Sequence, residues 1–176
     1  SEQRVSDHKT SSPFEFQRVL TAHLNPAWTN DPTLPGNMMD YSLAMFDLAE
    51  ASARGFISGD AATYYNAGVE ASFAYFDISD SAAAYLAANP YDAVNWKESI
   101  GIQKYIASVI NPHEAWTESR RLGVPTLAAA ASNGVENPKR MTYPIDEELI
   151  NTTNFNAASS AMGGDKLSSA IFWDIN

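Results

Sequence analysis

The chain has 176 residues, of which 45% are apolar and 11% aromatic, enough for one domain with a hydrophobic core. Acidic residues outnumber basic ones by 21 to 11, and the formal charge is −10, so a nucleic-acid backbone is repelled and nucleic acid is disfavoured as a partner. The absence of cysteine excludes disulfides and cysteine-ligated zinc. No apolar run approaches the roughly 20 residues of a membrane-spanning helix.

Prolines indicate where helices are expected. The start Ser12-Pro13-Phe14-Glu15 is typical of a helix N-terminus and predicts a first helix towards Leu24. Four prolines interrupt residues 13–35, and then none occurs from Gly36 to Asn89. Because a proline inside a helix costs about 3 kcal/mol, the proline-free stretch is expected to be helical.

Two helices are predicted in that stretch, over 38–54 and from Asp60 to about 76. The first has an apolar face at helical spacing, and Gly55 is expected to end it; the predicted face is Tyr41, Ala44, Met45, Leu48 and Ala49. Asp60 is the expected N-cap of the second helix, in which the small residues Gly68 and Ser72 would let another backbone come close. The short connection predicts an antiparallel hairpin.

Three more helices are predicted after the hairpin. They cover 81–88, 92–110 with apolar residues on two sides, and a segment that begins at Asn111-Pro112 and ends before Gly123. From residue 122 the sequence is predicted to be loop-rich, with helix only near 146–150 and 157–161. The expected fold is all-α, with a core of helical hairpins over 36–121 and a loop-rich C-terminal tail over 122–176.

No catalytic or metal-binding motif is recognisable in the sequence. The three histidines, at positions 8, 23 and 113, are scattered and form no helical ligand pair. The close carboxylates Asp47 and Glu50, and the run at 146–148, are interpreted as a solvated helix face and an acidic helix start. We expect no metal, no cofactor and no catalytic residue.

Aromatic residues are the candidates for ligand binding. A sugar ring has an apolar face and a polar rim, so sugar sites combine a flat aromatic ring with amide and carboxylate groups. Trp28 lies beside Asn30 in a loop, and Trp96 lies at a helix start; these three residues are the predicted ligand-binding set. Packing of the loop against the core is the simpler alternative. Trp116 and Trp173, the latter in an apolar cluster with Phe172, are expected to pack.

Four segments carry motifs in a fixed order: FISGDAATYYNAGVEASFAYFDI (56–78), IGIQKYIASVINPHEAWTESRRLGVPTL (100–127), KRMTYPIDEELINTTNF (139–155) and GGDKLSSAIFWD (163–174). Together they resemble the C-terminal part of SusD/RagB-type proteins, the surface nutrient-binding lipoproteins of Bacteroidetes. Three positions depart from the usual pattern. Ser119 replaces a second tryptophan, Phe172 precedes Trp173 in place of another tryptophan, and Leu43 follows Tyr41-Ser42 where an acid is common.

The resemblance implies a tetratricopeptide-like helical protein that is held at the outer membrane by an N-terminal lipid and covers a TonB-dependent SusC-like transporter. Such proteins capture glycans or peptides and pass them on without breaking a bond, so the chain is expected not to be an enzyme. Family members are considerably longer, so the chain is expected to be either one domain, 1–176, or the C-terminal portion of a longer protein whose remainder, with the lipid-anchored segment, is a further partner. Six residues are assigned turn, capping or packing roles that maintain the fold: Gly59, Asp60, Trp116, Arg120, Arg121 and Tyr143.

Two other functions remain open from the sequence alone. A scaffold of helical repeats would bind a protein or peptide and no sugar. A glycoside hydrolase would require two acids facing a cleft, one of them essential for turnover.

Overall fold

The computed structural model describes residues 32–33, 39–126 and 137–174. The chain divides into two compact units, 1–38 and 39–176. Of the first unit, only the turn at Pro32-Thr33 belongs to the described residues. The helix predicted from Ser12 towards Leu24 lies outside them.

All regular secondary structure in the described residues is helical, which confirms the all-α prediction. A single 3₁₀ turn, Ser79–Ser81, precedes the third helix. The α-helices are α1 (Tyr41–Ala53), α2 (Ala61–Tyr75), α3 (Ala82–Ala88), α4 (Trp96–Ala107), α5 (Pro112–Leu122), α6 (Ile145–Ile150) and α7 (Thr152–Ala161).

Helices α1 and α2 form the predicted antiparallel hairpin. Asp60 caps α2 by accepting hydrogen bonds from the backbone N–H groups of Ala62 and Thr63, as expected. The Phe46 ring of α1 lies edge-on to Tyr65 of α2, with centroids 6.2 Å apart. Gly68 is buried directly against the Phe46 ring, so the nearest neighbour at this glycine is a side chain and not the backbone that was predicted there.

Helices α4 and α5 form a second hairpin, of which α4 packs on α1. Gly101 of α4 faces Leu122 and Val124, and α5 ends at Gly123, which has a left-handed backbone with φ 72°. The expected stop before this glycine is confirmed. The buried core joins both hairpins and consists of Phe46, Ala49, Tyr65, Val69, Ile100 and Ala107.

Two predicted helix faces are wrong. On α1, the buried residues include Ser42 and Glu50, whereas Tyr41 is exposed. The inner face is centred on Phe46 and includes the ion-paired Glu50, so Ala49 is the only one of the five predicted residues that is buried. On α4, Ile106 and the following Val109 are exposed, so the helix is buried on one side and the expected two-sided burial does not occur.

Two helix starts also differ from the prediction. Helix α4 begins at Trp96, four residues late, because Asp92 accepts hydrogen bonds from the N–H groups of Val94 and Asn95 in a local turn. The Asn111 side chain makes no capping hydrogen bond in the described structure, although Pro112 begins α5 as predicted.

The C-terminal segment contains two short helices between loops. Helix α6 matches the prediction, whereas α7 begins at Thr152, five residues earlier than expected. Arg140 is buried and pairs with Asp165 at 2.7 Å, and this ion pair connects the start of the segment to its end. Phe172 is 93% exposed, so its expected place in an apolar cluster with Trp173 is wrong.

Candidate functional site

A depression of about 370 Å³ lies where the end of α1 meets α5. The side chains of Glu50 on α1 and Arg121 on α5 meet there. Its lining combines charged groups with one aromatic ring and comprises Asp47, Glu50, Ala51, Arg54, Phe56, Glu118 and Arg121.

Arg121 connects α5 to α1 through paired carboxylates. Its Nη1 donates to Glu50 Oε1 at 2.6 Å, and its Nη2 donates to Glu50 Oε2. The same guanidinium also pairs with Glu118 one turn earlier at 2.7 Å. A bidentate pair of this kind fixes both the distance between the two side chains and their relative orientation, so it sets the shape of the depression.

Lys104 of α4 extends the network beneath the surface. Its side chain is only 2% exposed, and Nζ lies 2.6 Å from both Asp47 Oδ1 and Glu118 Oε2. A buried ammonium group is stable only when it is paired. Arg54 forms a further ion pair with Glu50. The network thus contains three cations and three carboxylates, so the floor of the depression has no net charge; these groups are Arg54, Lys104 and Arg121 with Asp47, Glu50 and Glu118.

The two glutamates of the network, Glu50 and Glu118, are held ionised. Burial by itself raises the pKa of Glu50, but hydrogen bonds and charge from Arg121, aided by Arg54 and Lys104, hold that pKa below the ordinary value. Burial also raises the pKa of Glu118, but hydrogen bonds and charge from Arg121 and Lys104 outweigh it, so the pKa of Glu118 lies below the ordinary value. The two carboxylates raise the pKa of Arg121 in return. A general acid requires a raised carboxyl pKa, so the lowered pKa of each glutamate does not suit the general-acid role in glycoside cleavage.

Trp96 is the one predicted ligand-binding residue within the described part of the chain. It is the first residue of α4, is half-buried and packs against the core. The Arg54 guanidinium lies over its ring, 4.8 Å from the centroid, at cation–π distance. Trp96 therefore lies behind Arg54 and supports the wall of the depression. Trp28 and Asn30 lie outside the described residues.

The exposed ring at the depression belongs to Phe56, a residue that sequence reasoning missed. Phe56 is 76% exposed and follows Gly55, whose φ of 74° ends α1. The spacing of Glu50 and Arg54, four residues apart at the end of α1, allows the ion pair between them, but it does not indicate that the neighbouring Phe56 is exposed. The interpretation of Asp47 and Glu50 as a solvated face is wrong for Glu50, which is buried.

The residues assigned to fold maintenance have structural partners. Trp116 Nε1 donates to the Pro138 carbonyl oxygen at 2.7 Å, and the Arg120 guanidinium lies 3.7 Å from the Trp116 ring centroid. The Tyr143 backbone N–H donates to Asp165. Three or more histidine or acidic side chains do not cluster as metal ligands anywhere in the described ranges. None of the helices described has the length and apolarity to cross a bilayer.

The chain was compared with protein-family models and with curated protein sequences. Residues 6–144, more than half of the chain, match the SusD-like_2 family model, described as "Starch-binding associating with outer membrane". No curated protein sequence matches the chain at a significant level.

Solved structures are also similar. A chitin-binding protein is 36% identical over 77% of this chain, with a TM-score of 0.67. A Bacteroidetes SusD-like protein is 26% identical over 99% of this chain, with a TM-score of 0.80. A SusD homologue from Bacteroides fragilis is 31% identical over 80%, with a TM-score of 0.67. The chain spans only 33%, 37% and 35% of these three structures, respectively. The family model and the similar solved structures agree, and the chain belongs to the SusD-like family.

Proposed function

We propose that this chain is part of an outer-membrane surface protein that captures glycans and passes them to a TonB-dependent SusC-like transporter, with a lipid anchor on a segment outside the 176 residues. The observation that carries the proposal is the match of residues 6–144 to a family described as starch-binding and outer-membrane-associated. The 36% identity to a chitin-binding protein supports a glycan as the ligand.

The depression beside Phe56 is the proposed glycan contact of this chain. An exposed ring stacks against the C–H face of a sugar, and the outer edges of Arg54 and Asp47 offer hydrogen-bonding groups for hydroxyls. Because ion pairs with Glu50 and Lys104 hold these two side chains in place, little conformational freedom is lost when the ligand binds.

The proposed role is binding without catalysis. The two glutamates at the depression have lowered pKa values and make ion pairs, which supports a site that holds a ligand and leaves its bonds intact. A hydrolase would instead require one carboxylic acid kept protonated near neutral pH.

A protein-binding scaffold is the second candidate. It is favoured by the exposed apolar side chains along α6 and just before it, which would suit an apolar partner surface; these are Met141, Ile145, Leu149 and Ile150. Affinity for a protein with none for any glycan would establish this alternative.

The glycan contact is tested by calorimetric titration of the chain with maltooligosaccharides and chitooligosaccharides. Phe56→Ala is expected to weaken binding about tenfold, because loss of one stacking contact removes about 1 kcal/mol or more. Phe172→Ala, at the more exposed phenylalanine, is the matched control and should bind as the wild type does. Equal affinity of both variants would remove Phe56 from the site.

The transporter partner is tested separately. The protein is tagged in its native cell, the outer membrane is solubilised gently, and co-purifying proteins are identified by mass spectrometry. A stoichiometric TonB-dependent barrel is the expected result. Recovery from soluble fractions alone, without a barrel, would overturn the transporter assignment.

A further inference from the structure

We propose that the outer surface of α6 is a docking site for a basic amphipathic helix of another protein. This α6 face combines a row of exposed apolar side chains with a border of carboxylates; its residues are Met141, Ile145, Leu149 and Ile150 with Asp146, Glu147 and Glu148. The α6 face shares no residue with the depression at Phe56. The inference therefore goes beyond glycan capture and gives the chain a second binding surface with a partner of defined chemistry.

The apolar side chains of the α6 face are exposed to solvent. Ile145, Leu149 and Ile150 are 65%, 70% and 85% exposed, respectively. Neither α6 nor α7 contains a buried residue, and among the described helices α6 packs only on α7. Burial of apolar surface is the main favourable contribution to protein association, and an exposed apolar patch with a polar border is typical of a protein-binding surface.

The spacing of these residues suits a partner helix. Residues four apart lie on the same side of a helix, so Leu149 follows Ile145 along one row. At about 100° per residue, Asp146 and Ile150 lie farther round the same side, and Glu148 borders the row on the other side. Helix α6 has six residues and therefore extends about 9 Å, nearly two turns of a partner helix. Side chains of such a helix can pack between those of the row.

The charge of the α6 face selects a basic partner. Residues 141–165 contain no lysine, arginine or histidine. Arg140, which precedes them, is buried and forms an ion pair with Asp165. The three carboxylates at 146–148 are exposed and have no cation close to them in sequence. Lysine or arginine side chains beside the apolar residues of a partner would complement these carboxylates.

The same carboxylates disfavour other occupants of the α6 face. A second copy of this chain would bring three carboxylates against three, in molecules of formal charge −10, and like charges across an interface repel each other. An anionic lipid surface would be repelled in the same way. An acidic border also keeps an apolar surface soluble while no partner is bound, which a permanently covered surface does not need. The partner is therefore a separate protein that binds reversibly.

The test is a calorimetric titration of the 176-residue chain with a synthetic peptide of leucine and lysine that forms an amphipathic helix. We expect this peptide to bind, because its leucines cover the apolar row and its lysines meet the carboxylates. A counterpart with glutamate in place of every lysine should not bind. Equal binding of both peptides, or binding of neither, would overturn the proposal.

Matched variants locate the peptide on the chain. Leu149→Ser should weaken binding about tenfold or more, because it removes an apolar contact at the centre of the row. Phe172→Ser, at another exposed apolar residue, is its control and should bind as the wild type does. Both side chains are exposed, so circular dichroism of the free variants should be unchanged. Wild-type affinity in Leu149→Ser would overturn the proposal.

A second pair of variants tests the acidic border. Glu148→Lys should weaken binding and reduce its dependence on NaCl concentration, because it replaces an attractive charge with a repulsive one. Glu70→Lys makes the same change of net charge at an exposed position of α2 and should have a smaller effect. Equal losses in the two variants would indicate attraction to the whole acidic chain and would overturn the proposal.

Two further measurements separate this inference from its alternatives. Phe56→Ala should bind the peptide as the wild type does, so a failure of the proposed glycan contact is distinguishable from a failure here. Sedimentation equilibrium of the 176-residue chain should show a monomer. A dimer that Leu149→Ser abolishes would place a second copy on the α6 face and would overturn the assignment of a basic partner.

Discussion

Substitution of Gly68 by alanine tests the contact between α1 and α2. A Cβ at this position would lie 2.6 Å from Phe46 Cε1, 2.7 Å from Cδ1 and 2.9 Å from Cζ. Favourable carbon contacts are about 3.5–4.0 Å, so the ring or the helix would have to move by about 1 Å. Phe46 is fully buried and already lies edge-on to Tyr65, so a shift of its ring would disturb that contact.

Two opposing effects determine how much Gly68→Ala changes the free energy of unfolding. Glycine to alanine inside a helix stabilises by about 1 kcal/mol through backbone propensity. Overpacking of a well-packed core costs about 1–3 kcal/mol, and a contact this short with an immobile ring belongs at the upper end. We therefore expect Gly68→Ala to lower the free energy of unfolding by about 1–2 kcal/mol.

Urea denaturation followed by circular dichroism measures this change. The matched background is Phe46→Val, which lacks the three ring atoms that meet the new Cβ. In that background Gly68→Ala should be neutral or stabilising, and the double-mutant cycle isolates the steric clash. A stabilising effect of Gly68→Ala in the wild-type background would refute the packing argument.

Three further predictions concern charged groups. Lys104→Met is expected to destabilise the fold by about 3 kcal/mol at pH 7, because it removes a buried cation from paired carboxylates; an unchanged urea midpoint would contradict this. Because the folded-state pKa values of Glu50 and Glu118 are lowered, their stabilisation is complete above the ordinary pKa of 4.5 and is lost as the pH falls through the folded values. Urea midpoints measured from pH 6 down to pH 2 should therefore fall at the acid end, and Glu118→Gln should flatten that fall. Asp60→Ala should lower the midpoint at pH 7, and the difference should disappear in acid, since the hydrogen bond from Thr63 lowers the Asp60 pKa; a constant difference across pH would argue against the cap.

Local sequence features were sufficient to predict most of the helices. The Asp60 cap, the Pro112 start and the Gly123 stop all act within a few residues of the chain, and the structure confirms each one. The late start of α4 at Trp96 is also local, but it depends on hydrogen bonds of the Asp92 side chain, which compete with the helix.

Burial of charge could not be predicted from the same features. Glu50 faces the interior because Arg121, 71 positions away in sequence, pairs with it. Hydrophobic periodicity counts a glutamate as solvent-facing whatever its distant partner is, so the predicted face of α1 was displaced. The role of Phe56 was missed for a related reason, since exposure depends on which other segments cover a loop.

The contact between Arg54 and Trp96 also provides an internal optical reporter. Glu50 holds the guanidinium at 2.8 Å, and the guanidinium lies over the indole ring of Trp96. Protonation of Glu50 in acid releases Arg54 from that position, and the environment of the indole then becomes less cationic. The fluorescence of Trp96, measured in a variant whose other three tryptophans are replaced by phenylalanine, is therefore expected to follow the ionisation of this buried carboxylate.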